Sequence, residues 1–267
     1  MKYIGIRGHR GAGKSTVAYL LSNTIQYLLD HGDEHPIEQF TKEFNDWCEE
    51  FRKDETCISR VELDRVIIEG FGDTPRMLLS MLTGIQYSDM WNDHMKDHQV
   101  INLKNFETTE VDDISSFPDK LWSAREYFIT TTSSTDPEEL KDDVYMTLRE
   151  LILYFGIYVM QNAFGLNVWI KSLVANNQFF TGLFPDDKNG YKIFQDIKAR
   201  SEISYIKDKG GVIIKVSRPG HKKAGGMDLL KGDSRYDYEI NITGELEGLR
   251  DQILTIAKSI IHEKDRD

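Results

Sequence analysis

The stretch GHRGAGKST, at positions 8–16, limits the possible folds of this chain more than any other feature. It follows the apolar start MKYIGI directly, and residues 3–6 are predicted to form a short buried strand. After it, apolar and small residues recur at helical spacing: Val17, Leu20, Leu21, Thr24 and Leu28. A glycine-rich turn between a strand and a helix can aim its backbone N–H groups at one point, which favours an α/β fold with an anion site.

The same stretch matches the pattern G-x-x-x-x-G-K-[ST] at Gly8, Gly13, Lys14 and Ser15. In that pattern the lysine reaches the β and γ phosphates of a nucleoside triphosphate, and the hydroxyl coordinates Mg²⁺. The remaining predicted nucleotide contacts are Arg10, Gly11, Ala12 and Thr16. The alternative is a glycine-rich turn that binds nothing.

Further apolar runs predict strands at 66–71, 191–196, 211–216 and 237–242. The last is followed by a C-terminal helix with an apolar stripe of Leu246, Leu249, Ile253, Ile256 and Ile260. We therefore expect an α/β, three-layer fold with a parallel sheet and helices on both faces. Asp196 is the last residue of the predicted strand 191–196. There it could bind Mg²⁺ through water, orient the phosphate site, or cap the next helix.

The segment 218–235, RPGHKKAGGMDLLKGDSR, is basic and glycine-rich in an otherwise acidic chain. It predicts a lid-like loop whose basic residues, Arg218 among them, close over a triphosphate and exclude water. The alternative is an ordinary solvated loop.

The amino-acid composition limits the classes of binding partner and the cellular compartment that we expect for this chain. A net charge of -11 disfavours nucleic-acid and membrane surfaces. Only two cysteines occur, which favours a reducing compartment over a disulfide framework. With no signal peptide and no apolar run of membrane-spanning length, a cytoplasmic location is expected.

Three segments resemble a known family. They are DIKARSEISYIKDKGGVIIKVSRPG at 196–220, FGDTPRMLLSMLTG at 71–84, and TLRELILYFG at 147–156 followed by Val168 and Trp169. Together with the glycine-rich stretch they resemble the phage-type deoxynucleoside monophosphate kinases of the adenylate-kinase-like P-loop group. Asp196 and Glu202 match that pattern, whereas Lys198 and Arg76 stand where the family has an arginine and a lysine. The resemblance implies a P-loop fold, ATP and Mg²⁺ as cofactors, a nucleotide acceptor, a homodimer, and a phage protein in the host cytoplasm.

Phosphoryl transfer between nucleotides needs cationic groups that position two anions. Arg76 is the first candidate for the acceptor phosphate, because a guanidinium grips phosphate bidentately; a surface ion pair with Asp73 is its alternative role. Arg149, Lys198 and Arg200 are candidates for contacting the transferring group. With Lys14 and Asp196 they complete the predicted catalytic set.

The chain also departs from the family. Where the family has a polar Gln and Gly-Thr-Glu, this sequence has Leu153, then Gly156, Ile157, Tyr158 and Gln161. The change is compatible with an altered base preference, with a kinase for another small metabolite, or with a non-catalytic nucleotide-binding or structural protein. A pocket that holds Arg76 and Arg149 together would favour the nucleotide kinase, and its closure by apolar side chains the non-catalytic protein.

We expect one domain over residues 1–267, with insertions at about 30–66 and 98–145 that lack a counterpart in the family. In the first insertion Phe40, Phe44, Trp47 and Phe51 form an aromatic stripe on one helix face. Core packing is the favoured interpretation of the stripe, and base stacking is the alternative. The second insertion could carry a homodimer contact or a partner surface.

Overall fold

A computed structural model describes residues 1–53, 63, 65–117, 120–133, 144–165, 167–172, 190–220, 230 and 233–264. The chain divides into two compact units, the first made of Met1–Phe71 with Asn177–Asp267 and the second of Gly72–Asn176. The predicted insertion at 30–66 belongs to the first unit and the one at 98–145 to the second. Among the described helices, none is both long and apolar enough to span a bilayer.

The described strands and helices are as follows. The strands are β1 (Lys2–Gly8), β2 (Val66–Glu69), β3 (Gln99–Asn102), β4 (Thr108–Glu110), β5 (Tyr145–Thr147), β6 (Tyr191–Ile197), β7 (Val212–Ser217) and β8 (Tyr238–Asn241). The helices are α1 (Lys14–His31), α2 (Ile37–Lys53), α3 (Asp73–Thr83), α4 (Asp93–His98), α5 (Ala124–Ser133), α6 (Leu148–Leu153), α7 (Met160–Phe164), α8 (Arg200–Asp208) and α9 (Leu246–Lys264).

The first unit contains a five-stranded sheet in the order β2-β6-β1-β7-β8. Every neighbouring pair is parallel. This confirms the predicted parallel α/β sheet, with strand ends within two residues of those expected. The central strands are buried on both faces, as parallel sheets require, and this is why they are detected as continuous apolar runs.

Helices cover the two faces of this sheet. Ile4 and Ile6 of β1 are fully buried in one core with residues of α1 and α9. Gly5, between them, faces the opposite side, where an added Cβ would lie 2.7 Å from the Cδ1 atoms of Ile197, Ile206 and Ile213. Ile206 lies on α8, so α8 packs close to the sheet at a position that tolerates only glycine.

The aromatic stripe of α2 is part of the core of the first unit. Phe40, Phe44 and Phe51 are buried there, and Trp47 packs against the same cluster. Phe51 contacts Tyr19 of α1 with 5.4 Å between ring centroids, and Phe40 contacts Tyr27 at the same separation. Core packing, the favoured interpretation, is therefore confirmed for this stripe.

The connections that leave β1 and β7 run toward opposite edges of the sheet. The chain leaves β1 through α1 and α2 for β2 at one edge, whereas β7 continues to β8 at the other edge. The carboxyl ends of β1 and β7 therefore flank a topological switch point, which in open parallel sheets is where ligands bind.

The second unit combines helices with a small antiparallel sheet in the order β4-β3-β5. Its core includes Leu79, Met90, Ile101, Leu148 and Leu151. Between α6 and α7 the helix widens into a π-helical turn, Tyr154–Val159. The carbonyl of Gly156 in this turn accepts a 2.9 Å hydrogen bond from Trp169 Nε1, so the glycine and tryptophan of the family-like segment are in direct contact.

Candidate functional site

The glycine-rich turn occupies the carboxyl end of β1, at the switch point of the sheet. Gly11 and Gly13 have φ angles of 74° and 91°, in the left-handed region that favours glycine. The N–H of Ala12 donates to the carbonyl of His9 at 3.1 Å and closes the turn. At Gly8 an added Cβ would lie 2.5 Å from the carbonyl oxygen of Val216 on β7, so a side chain is excluded by backbone.

Helix α1 begins directly after this turn, and its N-cap residue, a glycine, has no side chain with which to cap it. Gly13 is the N-cap, makes no side-chain hydrogen bond, and is followed by no acidic residue in the first turn. The first N–H groups of a helix carry partial positive charge, and a bound anion is favourable there. Ser15, which is exposed, and Thr16, which is half-buried, lie in this first turn.

Lys14 joins the turn to the end of β6. Its Nζ donates to the His9 carbonyl at 2.9 Å and lies 3.2 Å from Asp196 Oδ1. The other carboxylate oxygen of Asp196 lies 2.6 Å from Lys198 Nζ. Parallel pairing of β6 with β1 therefore assembles three of the residues predicted from the sequence at one edge of the sheet.

Asp196 has a strained backbone. Its φ of 63° lies in the left-handed region that residues with a side chain seldom occupy. Such strain persists only where surrounding contacts impose it, and it is concentrated at functional sites. Here the two lysine ammonium groups hold the carboxylate that the strained backbone presents.

Glu202 has a structural role in the DIKARSE segment. Its carboxylate accepts hydrogen bonds from the N–H groups of Lys198 at 2.7 Å and Ala199 at 2.9 Å, at the start of α8. Burial raises the pKa of Glu202 above its usual range, against the effect of these bonds. The match of Glu202 to the family pattern thus reflects a helix cap.

Arg200 is the first residue of α8, and its side chain is 67% exposed, 3.7 Å from Asp233. Asp233 was missed by sequence reasoning, as was its other partner Arg7, which lies one residue before Gly8. Arg235 donates to the Asp233 carboxylate through Nε and Nη2, and these bonds, with the neighbouring guanidiniums, lower the pKa of Asp233 to about 2. A charged residue inside the apolar run YIGIRG is the one sequence signal that could have indicated this cluster.

The predicted lid-like loop is described only at its two ends. Arg218 is exposed directly after β7, and residues 233–236 precede β8. Residues 221–229, 231 and 232, with Lys222, Lys223 and Lys231, lie outside the described residues.

In the second unit, Arg76 is held on three sides. Its guanidinium carbon lies 4.1 Å from the centroid of the Trp91 ring, Nη1 donates to the Gly72 carbonyl at 2.9 Å, and Asp73 is 4.0 Å away. Only 11% of the side chain is exposed, and Nε is buried with no hydrogen-bond partner among the described residues. The ion pair with Asp73, considered as an alternative role, is therefore present, but it belongs to a mostly buried, stacked guanidinium with one unsatisfied donor.

Arg149 lies in a different environment. Its Nε contacts the Asp97 carboxylate, and both residues line an open cavity of about 540 Å³ in the second unit. Asp112, Asp113 and Glu150 line the same cavity, so its lining holds four carboxylates and one guanidinium and carries a net negative charge. The described residues that line this cavity do not include Arg76, Leu153, Ile157 or Tyr158. The cavity therefore neither joins the two arginines nor is closed by the apolar residues.

The described part of the chain contains no group of three or more His, Cys, Asp or Glu side chains arranged to hold a metal ion. A Mg²⁺ ion bound with phosphate does not need such a group, because phosphate oxygens and water supply most of its ligands. The exposed Ser15 hydroxyl fits that kind of site. Asp196, placed between two ammonium groups, fits an orienting or water-mediated role better than direct coordination.

Comparison with known proteins adds no relative: no protein-family model matches the chain, and no curated protein matches it significantly.

Proposed function

We propose that the first unit is a P-loop nucleotide-binding unit and that the protein transfers the γ-phosphoryl group of ATP to a small acceptor, a (deoxy)nucleoside monophosphate. One observation carries the proposal. The Lys14 ammonium is held at the mouth of a glycine-constrained turn, between the His9 carbonyl and Asp196, at the switch point of a parallel sheet.

The proposed ATP site in the first unit uses backbone and side-chain donors together. The turn 9–13 and the uncapped amino terminus of α1 supply N–H groups and a partial positive charge for the triphosphate. When the triphosphate binds, the Lys14 ammonium leaves the Asp196 carboxylate and contacts phosphate oxygens instead. Asp196 keeps its ion pair with Lys198. Mg²⁺, held with Ser15, would supply charge neutralisation between the β and γ phosphates.

The proposed acceptor contact in the second unit is Arg76. A guanidinium held against Trp91 loses little conformational freedom on binding, and its buried Nε is a donor without a partner among the described residues. The exposed part of the guanidinium is the part that a phosphate or carboxylate would meet first, and the buried Nε would be reached only if the side chains around it moved. Arg149 supports the proposal less, because Asp97 already neutralises it.

A second candidate is a kinase whose acceptor is not a nucleotide. The four carboxylates that line the cavity around Arg149 favour it, since together with one guanidinium they leave a net negative charge that repels a monophosphate. This candidate keeps the same donor site and changes the acceptor.

The test begins with binding. Titration calorimetry of Mg-ATP into the purified chain should show one site, and the Lys14→Ala variant should lose it. A coupled ADP-release assay across the common ribo- and deoxynucleoside monophosphates should then identify the acceptor. Mg-ATP binding without turnover of any monophosphate would favour the second candidate, and absence of Mg-ATP binding would refute both.

A further inference from the structure

A buried arginine lies directly before the glycine-rich turn. Side chains of β1 alternate between the two faces of the sheet, and Arg7 points to the face covered by α8. Its side chain is 10% exposed. A guanidinium at such a position is costly unless a carboxylate and acceptor oxygens compensate it.

Both compensating groups come from the segment that precedes β8. Arg7 Nη1 forms an ion pair with Asp233 Oδ1 at 3.7 Å, too long for a hydrogen bond, and Nη1 has no hydrogen-bond partner among the described residues; Nη2 donates to the Leu230 carbonyl at 3.3 Å. The side chain of Asp233 is 5% exposed, and the backbone N–H of Asp233 donates to the same Leu230 carbonyl at 2.9 Å. The end of β1 is therefore tied to a segment more than 200 residues away in the sequence.

The same carboxylate also contacts α8. Arg200, the first residue of α8, lies 3.7 Å from Asp233 Oδ2. Arg235 lies 2.8 Å from that oxygen and donates through Nη1 to Ser204 at 3.1 Å. One carboxylate thus holds three guanidiniums from β1, from α8 and from the segment before β8.

We propose that Asp233 is a positioning residue for the glycine-rich turn: through Arg7 it fixes the end of β1 from which the turn departs, against α8 and the segment before β8. Gly8 follows Arg7 immediately and abuts Val216 of β7, so displacement of Arg7 displaces the first glycine of the turn. The effect on nucleotide affinity rests on the proposed function, whereas the effect on the turn itself does not.

The primary test compares Asp233→Asn with Asp251→Asn. Asp251 pairs with Arg250 on the exposed face of α9 and serves as the matched control, since its side chain is 63% exposed. Hydrogen exchange at residues 8–13 is measured well below the thermal midpoint, together with the dissociation constant of Mg-ATP. Asp233→Asn should accelerate exchange in the turn on the order of tenfold and weaken Mg-ATP binding, whereas Asp251→Asn should change neither.

The double variant Arg7→Met with Asp233→Asn separates positioning from stability. Removing both charges leaves no buried unpaired guanidinium, so the thermal midpoint should recover relative to Asp233→Asn alone. Exchange at residues 8–13 should stay fast, because the connection to the segment before β8 is still missing.

Two outcomes discriminate between the proposals. Unchanged exchange at residues 8–13 in the folded double variant would overturn the positioning role. If Asp233→Asn accelerates exchange at residues 8–13 but the wild-type protein binds no Mg-ATP, the positioning role stands and the proposed function is refuted.

Discussion

The ammonium of Lys14 lies 3.2 Å from the carboxylate of Asp196, which joins the first residue of α1 to the carboxyl end of β6. The contact exists because β6 is the parallel neighbour of β1 and because Asp196 adopts a φ of 63°. It places the ammonium at the mouth of the turn before any phosphate arrives. The lysine is therefore oriented during folding, and under the proposed function a phosphate would have to displace Asp196 but would not have to order the side chain.

Lys14→Ala should reduce Mg-ATP affinity on the order of 10- to 100-fold, because a hydrogen bond to a charged group contributes about 1.5–3 kcal/mol. The fold should persist, since Asp196 keeps its 2.6 Å contact with Lys198. Titration calorimetry measures the affinity and circular dichroism the fold. Lys209→Ala, at an exposed position after α8, is the charge-matched control and should bind as wild type does.

Gly8→Ala should destabilise the protein by roughly 1–3 kcal/mol, the usual cost of overpacking a site that cannot relax. The added Cβ would meet the Val216 carbonyl oxygen at 2.5 Å, and that oxygen is held in the sheet. Gly248→Ala on α9 is the control, because a Cβ there meets nothing within 4 Å. Urea unfolding should show the loss at Gly8 and a small gain, about 0.5–1 kcal/mol, at Gly248.

Arg76→Ala should raise the KM of the acceptor more than that of ATP. Arg76→Lys should recover little, because lysine keeps the charge but loses both the fork of donors and the stack on Trp91. Steady-state kinetics with each substrate varied in turn measures the two effects. Arg125→Ala, at an exposed position on α5, should leave both KM values unchanged. Equal effects of Arg76→Ala on both substrates would contradict its placement at the acceptor.

Acid should remove the stabilisation that Asp233 provides. The pKa of this carboxyl is about 2 in the folded protein, below its ordinary value of 3.8. Its stabilising effect is therefore complete above pH 3.8 and is lost as pH falls from there toward 2. The difference in free energy of unfolding between wild type and Asp233→Asn should be constant near neutral pH and shrink across that interval. A difference that persists to pH 2 would show that ionisation of Asp233 is not its source.

Much of the sheet could be predicted from local pattern. The runs at 191–196 and 211–216 become β6 and β7 because a strand buried on both faces must be apolar along its whole length. The stripe Phe40, Phe44, Trp47 and Phe51 indicated one buried helix face for the same reason. In such cases the buried residues lie close together in the chain at a regular spacing, so a short window of sequence is enough to detect the buried face.

The pairings at the candidate site could not be predicted in this way. No spacing connects Arg7 with Asp233. The strand end predicted Asp196 near the turn but not its direct contact with Lys14, and the helix cap formed by Glu202 has the same sequence appearance as a catalytic carboxylate. The acidic surroundings of Arg149 arise from α4, from the segment after β4 and from α6, which meet only in the folded unit.

By itself, then, the sequence determined the glycine turn, the strands that flank it and the residue types able to meet a phosphate, because these depend on local backbone sterics and on burial. Only the tertiary structure decided which charges are free and which are already neutralised. Coulomb energy depends on separation in space, and chain order does not specify that separation.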